Sequence, residues 1–397
     1  MLCSLCGIIN CPDLTGKSAD EGIPAGEGRQ IKKENIMKKL VATLMAACMM
    51  ASLTACGSSS SSTATTTAAA AAEETTAEAE AAEAAATEEY PEYHWNAGMT
   101  VADTTINYMM VEKFAQLLDE KTGGKITVEL YPSGQLGNTT EFTEAVISGS
   151  IDIGTGMTTD LVDFIPTYAI FDIPNLFDNV EQMRAVLNSD FTQVLNEYNN
   201  QGGIQMLGYS DAGFRQLSSN KAVHQLSDLA GQKIRVMTNQ YHLAYWNALG
   251  AAATPMQFTE VFMGLQQGTI DGEENPYMNI VGNNFQEVQK YIIETNHIGH
   301  IITFFMNNDL YQGLPENVKT LVDECAAEAV DYANSKADES IAEYKKICED
   351  AGCEIITLDA DVLAQFKEKA SVVTDMVREN VGDDIVDQLM SAIDATK

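Results

Sequence analysis

Two hydrophobic periods alternate along the chain from about Tyr93 onward. In Lys125 to Tyr131 every second residue is apolar (Ile126, Val128, Leu130), the pattern of a strand that turns successive side chains to opposite faces. In Asn107 to Lys121 the apolar residues recur every three or four positions, which places them on one face of a helix. On this basis the spacing predicts strands at His94 to Met99, Lys125 to Tyr131, Ile151 to Gly154, Ile204 to Tyr209 and Lys233 to Met237. It predicts helices at Asn107 to Lys121, from Asn138 to near Gly149, at Tyr241 to Leu249 and at Thr259 to Gly268. Asn138 and Glu141 stand as an N-cap and N3 pair, each satisfying the other's backbone donor. Strands alternating with helices of this size predict an α/β fold whose sheet is largely parallel and covered on both faces.

One predicted helix is longer than the rest. Pro315 suits a first helical position, and Val318, Leu321, Val322, Cys325 and Ala329 follow with no proline or glycine until Gly352. A continuous helix there runs about 55 Å, more than one small domain spans; two helices broken near Asn334-Ser335 are the alternative.

The N-terminal region carries address rather than fold. From Met37 the chain reads MKKLVATLMAACMMASLTACG, with Lys38 and Lys39 ahead of the apolar run Leu40 to Leu53. That run is short for a membrane span and suits a secretory signal. Leu53-Thr54-Ala55-Cys56 matches a bacterial lipobox, so Cys56 is expected to be lipidated and residues 37–56 to form a lipoprotein signal peptide. Residues 1–36 are polar and precede it, and are expected to be either an upstream mis-start, with translation beginning at Met37, or an unstructured segment. Cys3, Cys6 and Cys11 lack a fourth ligand for zinc. Residues 57–90 are nearly all Ser, Thr, Ala and Glu, the composition of a tether with a reach of roughly 30 Å.

The 397 residues carry a formal net charge of −34, and 45% of them are hydrophobic. That length and apolar content suit two domains. The charge makes nucleic acid a poor partner, because it would meet a repulsive field.

The most informative segment is GQKIRVMTNQYHLAYWNALGAAATPMQFTEVFMGLQQGTIDGEENP, from Gly231 to Pro276. It sets Arg235 between Ile234 and Val236 in a strand-like run, where a cation is costly to bury unless an anion meets it. Arginine offers a planar fork of donors that fits a carboxylate, so an anionic ligand is one candidate for that partner. With YPSGQLG at 131–137, GSIDIG at 149–154, GFRQLSSNKAVHQLSDLAGQKIRVM at 213–237 and LGAAATPMQFTEVF at 249–262, the chain from Tyr93 onward resembles the solute-binding proteins of TRAP transporters, the DctP family.

The resemblance implies a two-lobed, periplasmic-binding-protein-like α/β fold with a ligand cleft between the lobes and a long helix spanning both. It places residues 91–212 with 301–340 in one lobe and 213–300 with 341–397 in the other. It implies that Arg235 grips a substrate carboxylate, that Arg215 is a second cation near the ligand, with a structural salt bridge as the alternative for that residue, and that Asn275 hydrogen-bonds the same carboxylate. Phe258 is expected as a pocket wall, Asn96 as a polar contact from the other lobe, and Trp246 beside the cleft with Tyr245. At Met157 the sialic-acid binders of the family carry an acidic side chain, which argues for another small organic acid here, a C4-dicarboxylate or a sugar acid such as a uronate. No cofactor or metal is implied. The partners that the resemblance implies are a membrane permease of one small and one large subunit, and with the lipobox the expected location is extracytoplasmic and lipid-anchored.

A hydrolase or a sensory binding lipoprotein are the other readings of such a chain. Gly208 to Ala212 reads GYSDA rather than GxSxG, no Walker A motif or dinucleotide fingerprint occurs, and His297 and His300 share a segment without a paired carboxylate. Cys325, Cys348 and Cys353 are expected as free, partly buried thiols.

Overall fold

The computed structural model describes residues 89–397, which fall within one compact unit, Ala86–Lys397. The expected signal peptide, Cys56, the cysteines near the N-terminus and nearly all of the tether lie outside the described residues.

The alternating runs form β1 (Tyr93–Gly98), β2 (Ile126–Tyr131), β3 (Ile153–Met157), β4 (Ile204–Phe214), β5 (Gln216–Ser219), β6 (Lys233–Val236), β7 (Ala252–Pro255), β8 (Gly272–Asn275), β9 (Tyr291–Glu294), β10 (Gly299–Asn307) and β11 (Glu354–Thr357). They make two sheets, ordered β2-β1-β3-β10-β4 and β11-β9-β5-β8-β6-β7. The predicted largely parallel arrangement gives way to two mixed sheets. β1 runs parallel to β2 and β3, and β6 parallel to β7 and β8, but β10 and β5 are antiparallel to both of their neighbours. The cause is that the chain passes between the sheets without a helical crossover. β4 continues into β5 across Arg215, and β9 returns to β10 across residues 295–298, so each enters its second sheet against the local direction. The two passages are tied where they meet, by the Arg215 N–H bonded to the Ile298 carbonyl at 2.9 Å.

The long helix makes a third passage. It runs unbroken over Glu316–Asp350, 35 residues, with Pro315 at the N-cap, one position earlier than predicted. Val318, Leu321, Val322, Cys325 and Ala329 are buried as the spacing implied, and Ala326, Ala333 and Ala337 join them. These small residues let the helix lie close on β4 and on the helix Ile106–Thr122. The approach at Gly208 is close enough that a Cβ there would stand 2.7 Å from Val330 Cγ2.

Most other predicted elements match within a residue or two, but the strand expected at Ile204 to Tyr209 runs on to Phe214, and the one expected to end at Gly154 ends at Met157. The Asn138–Glu141 capping box is formed and opens the helix Thr139–Ile147. The strand expected at Ile151 starts two residues later, because Asp152 is engaged with Asn96 instead. The helix expected from Thr259 begins as a 3-10 turn, Phe258–Glu260, before Val261–Gln267. The C-terminal helices Ser371–Val381 and Asp383–Asp394 pack on the helix Gln240–Ala248 and on residues 166–201, flanking the second sheet and the first.

Gly272 is where β8 comes nearest to β5: a Cβ added there would lie 2.3 Å from the Ser218 carbonyl oxygen. Backbone cannot move aside as a side chain can, so Gly272→Ala is expected to cost at least about 1–3 kcal/mol. Urea unfolding should show a lower midpoint at an unchanged slope.

Candidate functional site

Arg235 lies in β6 with 2% of its surface exposed. Its guanidinium is turned toward a cleft that encloses about 760 Å³ of atom-free space, part of it open to solvent. Nε and Nη2 donate to the Met256 carbonyl at 2.9 and 2.7 Å, while Nη1 is buried with no partner. The guanidinium carbon stands 5.7 Å from the centroid of the Phe258 ring, within cation–π range. Burial lowers the guanidinium to about 10 against the pull of Glu274, so it stays charged at neutral pH. An unpartnered N–H on a buried cation is strongly unfavourable, and a ligand acceptor in the cleft relieves it.

Arg215 also faces the cleft, but it is already matched. Nε donates to Glu274 Oε2 at 2.5 Å, and Nη2 donates to Oε1 at 2.9 Å and to the Glu274 carbonyl. Nη1 reaches Met157 Sδ at 3.1 Å and His300 Nδ1 at 3.0 Å. Burial beside Arg215 holds His300 well below the usual histidine range, which leaves Nδ1 free to accept. Every N–H of this guanidinium therefore has an acceptor within the protein.

Glu274 is the anion at the centre of this cluster, with 0% exposure. Burial opposes its ionisation, yet Arg215, His242 and His297 hold it well below the usual carboxylate range. His297 Nε2 donates to it at 3.0 Å. His242 lies 3.5 Å from Glu274 Oε1 through Nδ1, an ion-pair distance without hydrogen-bond geometry, and 3.4 Å from Asp172 Oδ1 through Nε2. Burial alone would lower His242, but Asp172 and Glu274 outweigh it and raise the imidazole to about 9. Asp172 accepts also from Thr159 and Asn239.

The opposite wall of the cleft belongs to the first sheet and the turn after it. Asp160 sits there, its Oδ2 accepting the Met157 N–H at 2.8 Å. Burial, over that hydrogen bond and the charges of Arg215 and Arg235, pushes its carboxyl up to about 6. Asn107, on the helix Ile106–Thr122, donates to Thr155 Oγ1 and to the Gly156 carbonyl and leaves its own Oδ1 buried without a donor.

The cleft thus gathers five of the residues singled out in the sequence: Arg235, Arg215, Asn275, Phe258 and Met157. Asn275 is engaged, donating to Glu273 Oε2 at 2.5 Å and accepting from Asn279 at 3.1 Å. Two residues stand elsewhere. Asn96 exchanges hydrogen bonds with Asp152 across β1 and does not line the cleft. Trp246 is fully buried against His297, 5.2 Å between ring centroids, because its helix turns that face into the core; Tyr245 is buried with it. His297 and His300 serve the Arg215–Glu274 cluster, and among the described residues no group of His, Cys, Asp and Glu is arranged to hold a metal ion. Cys325, Cys348 and Cys353 are free thiols, all buried.

Asp160, Asn107 and Asn279 were not singled out by sequence reasoning. Asp160 lies only three residues beyond Met157, and the Met157-to-Asp160 turn, with an acidic residue at its third position, was the available signal.

The chain is similar to known proteins over most of its described length. The family model described as "Bacterial extracellular solute-binding protein, family 7" (DctP) matches residues 97–380. A C4-dicarboxylate-binding periplasmic protein DctP of Rhodobacter capsulatus is 31% identical over 287 residues, covering 70% of this chain and 85% of that protein. Among solved structures, a sugar acid binding protein of Advenella mimigardefordensis in complex with galactonate superposes with a TM-score of 0.75 at 26% identity, over 77% of this chain and 99% of the other. A TRAP periplasmic solute binding protein of Shewanella oneidensis with bound succinate gives 0.73 at 26% identity, over 77% and 100%.

The His242 imidazolium makes stability depend on pH. Its folded value of about 9 lies above its ordinary 6.5, so the stabilisation is full below about pH 6.5 and is lost as pH rises through 9. The unfolding free energy from urea titrations is expected to fall between pH 7 and 8.5 by about 2 kcal/mol. Most of that fall should be absent in His242→Gln, leaving the further loss at higher pH that the buried thiols Cys325, Cys348 and Cys353, held above the usual thiol range by burial, cause in both proteins.

Proposed function

This chain belongs to the family-7 bacterial extracellular solute-binding proteins, the DctP family, and on that premise we propose that it captures a small organic acid anion outside the cytoplasm and delivers it to a TRAP membrane permease of one small and one large subunit. The family is one of solute-binding proteins of transporters, not of enzymes. The observation that carries the reading is Arg235: a buried, charged guanidinium with one side on the Met256 carbonyl and Nη1 unpartnered at the cleft. A carboxylate set against Nη1 supplies the missing acceptor and a direct ion pair. Phe258 closes one side of that position.

In this reading the lobes are residues 91–212 with 301–340 and residues 213–300 with 341–397, and they close over the ligand. Closure is driven only as far as the ligand prefers the closed state. A micromolar ligand makes about 8 kcal/mol available for that purpose. The proposed location is outside the cytoplasm, in line with relatives named periplasmic, with Cys56 as lipid anchor. Among the described residues no helix is long and apolar enough to cross a membrane.

Two experiments follow. In thermal-shift assays of the purified protein against organic acids, a binding acid raises the melting temperature by mass action. Arg235→Ala is expected to weaken binding at least about 100-fold and remove the shift, and Arg235→Lys to restore only part of it, since an ammonium lacks the fork geometry. Loss of folding without ligand would instead make Arg235 structural. For the anchor, cells fed a labelled fatty acid should label the wild-type chain and leave Cys56→Ala unlabelled.

A further inference from the structure

We propose that Asp160 makes this cleft select hydroxylated monocarboxylates, sugar acids among them, over dicarboxylates, by accepting a ligand hydroxyl across the cleft from Arg235. The inference rests on the carboxylate-capture reading above and narrows it to one chemical class.

Counting the cations is the first step. The cleft shows two arginines, but each N–H of Arg215 is bound to Glu274, Met157 or His300. Arg235 Nη1 is the arginine donor at the cleft left without an acceptor. One carboxylate is matched there, and no second arginine is available for another.

The polarity of the remaining wall is the second step. Asp160 Oδ2 is held by the Met157 N–H, and Oδ1 receives no hydrogen bond from the described residues. Asn107 Oδ1 and Asn279 Oδ1 are both buried without a donor. The hydrogen bonds on the other end of each amide fix which way it points. Asn107 Nδ2 is turned to the Gly156 carbonyl, which can only accept. Asn279 Nδ2 is turned to Asn275 Oδ1, whose own Nδ2 is turned to the Glu273 carboxylate. The wall therefore offers acceptors that lack donors. A hydroxyl brings a donor; a second carboxylate brings only acceptors and a like charge.

Asp160 is also built into place. Gly156 leaves the room it occupies, since a Cβ at that position would lie 2.7 Å from Asp160 Oδ2. Seated on β3 in this way, the Asp160 side chain is kept at the cleft wall.

Isothermal titration of the purified protein against galactonate, gluconate, galacturonate, succinate and malate tests this, with Asp160→Asn as the variant. The amide keeps an acceptor for the Met157 N–H and adds a donor where the carboxylate had none. Wild type is expected to prefer its best monocarboxylate over succinate by at least about 100-fold. In the variant that ratio should shrink by at least about tenfold. The wild-type comparison stands even if the variant fails to fold. Equal affinity for succinate and the sugar acids in wild type, with both lost in Arg235→Ala, would overturn the selectivity and leave the capture reading intact. An unchanged ratio in folded Asp160→Asn would remove Asp160 from it. No binding of any acid by wild type would sink both.

Discussion

The buried pair of Arg215 and Glu274 is the constraint on which the rest of the structure depends. Arg215 is the residue at which the chain leaves one sheet for the other, and Glu274 sits in the strand beside it. Two charges out of water are tolerated only with close geometry and full hydrogen bonding, and this pair has both. Its demand for satisfaction recruits His297, His300 and, through the second carboxylate Asp172, His242. The crossover between sheets is thereby fixed by electrostatics as well as by backbone bonding. Arg215 is tied up in the scaffold, and the neighbouring Arg235 is left with an unmatched N–H at the cleft.

That division of labour between two arginines was only half legible in the sequence. Arg235 stood out because an apolar strand surrounds it, a local signal. Arg215 has no such signature: its partner lies 59 residues away, and GEENP offers two glutamates, both buried, with nothing local to say which one meets Arg215. The same limit explains Trp246 and Asn96. Each was placed beside the cleft by resemblance, whereas the direction a helix face or strand residue takes is set by what packs against it. Elements with a local cause were readable to within a residue or two, the Asn138–Glu141 cap and the long helix among them. The mixed sheets were not, since strand direction depends on connections that bring distant segments together.

The overall charge and the cleft pull in opposite senses. A chain with formal net charge −34 repels small anions at long range, yet its cleft holds a buried arginine. At physiological ionic strength the long-range field is screened within about 8 Å. In the proposed capture, recognition is therefore a short-range matter, decided by hydrogen-bond polarity once the solute is inside the cleft.

The two sheets are joined at three places, by β4 into β5, by β9 into β10 and by the helix Glu316–Asp350. A single strand would act as a ball joint. Two strands laced together beside Ile298, with a rigid rod laid across them at a third point, leave little besides rotation about one axis. In the proposed closure such a molecule would move like a door on its frame, with little sideways play, so that a solute shutting it would present the same outer surface to the membrane partner.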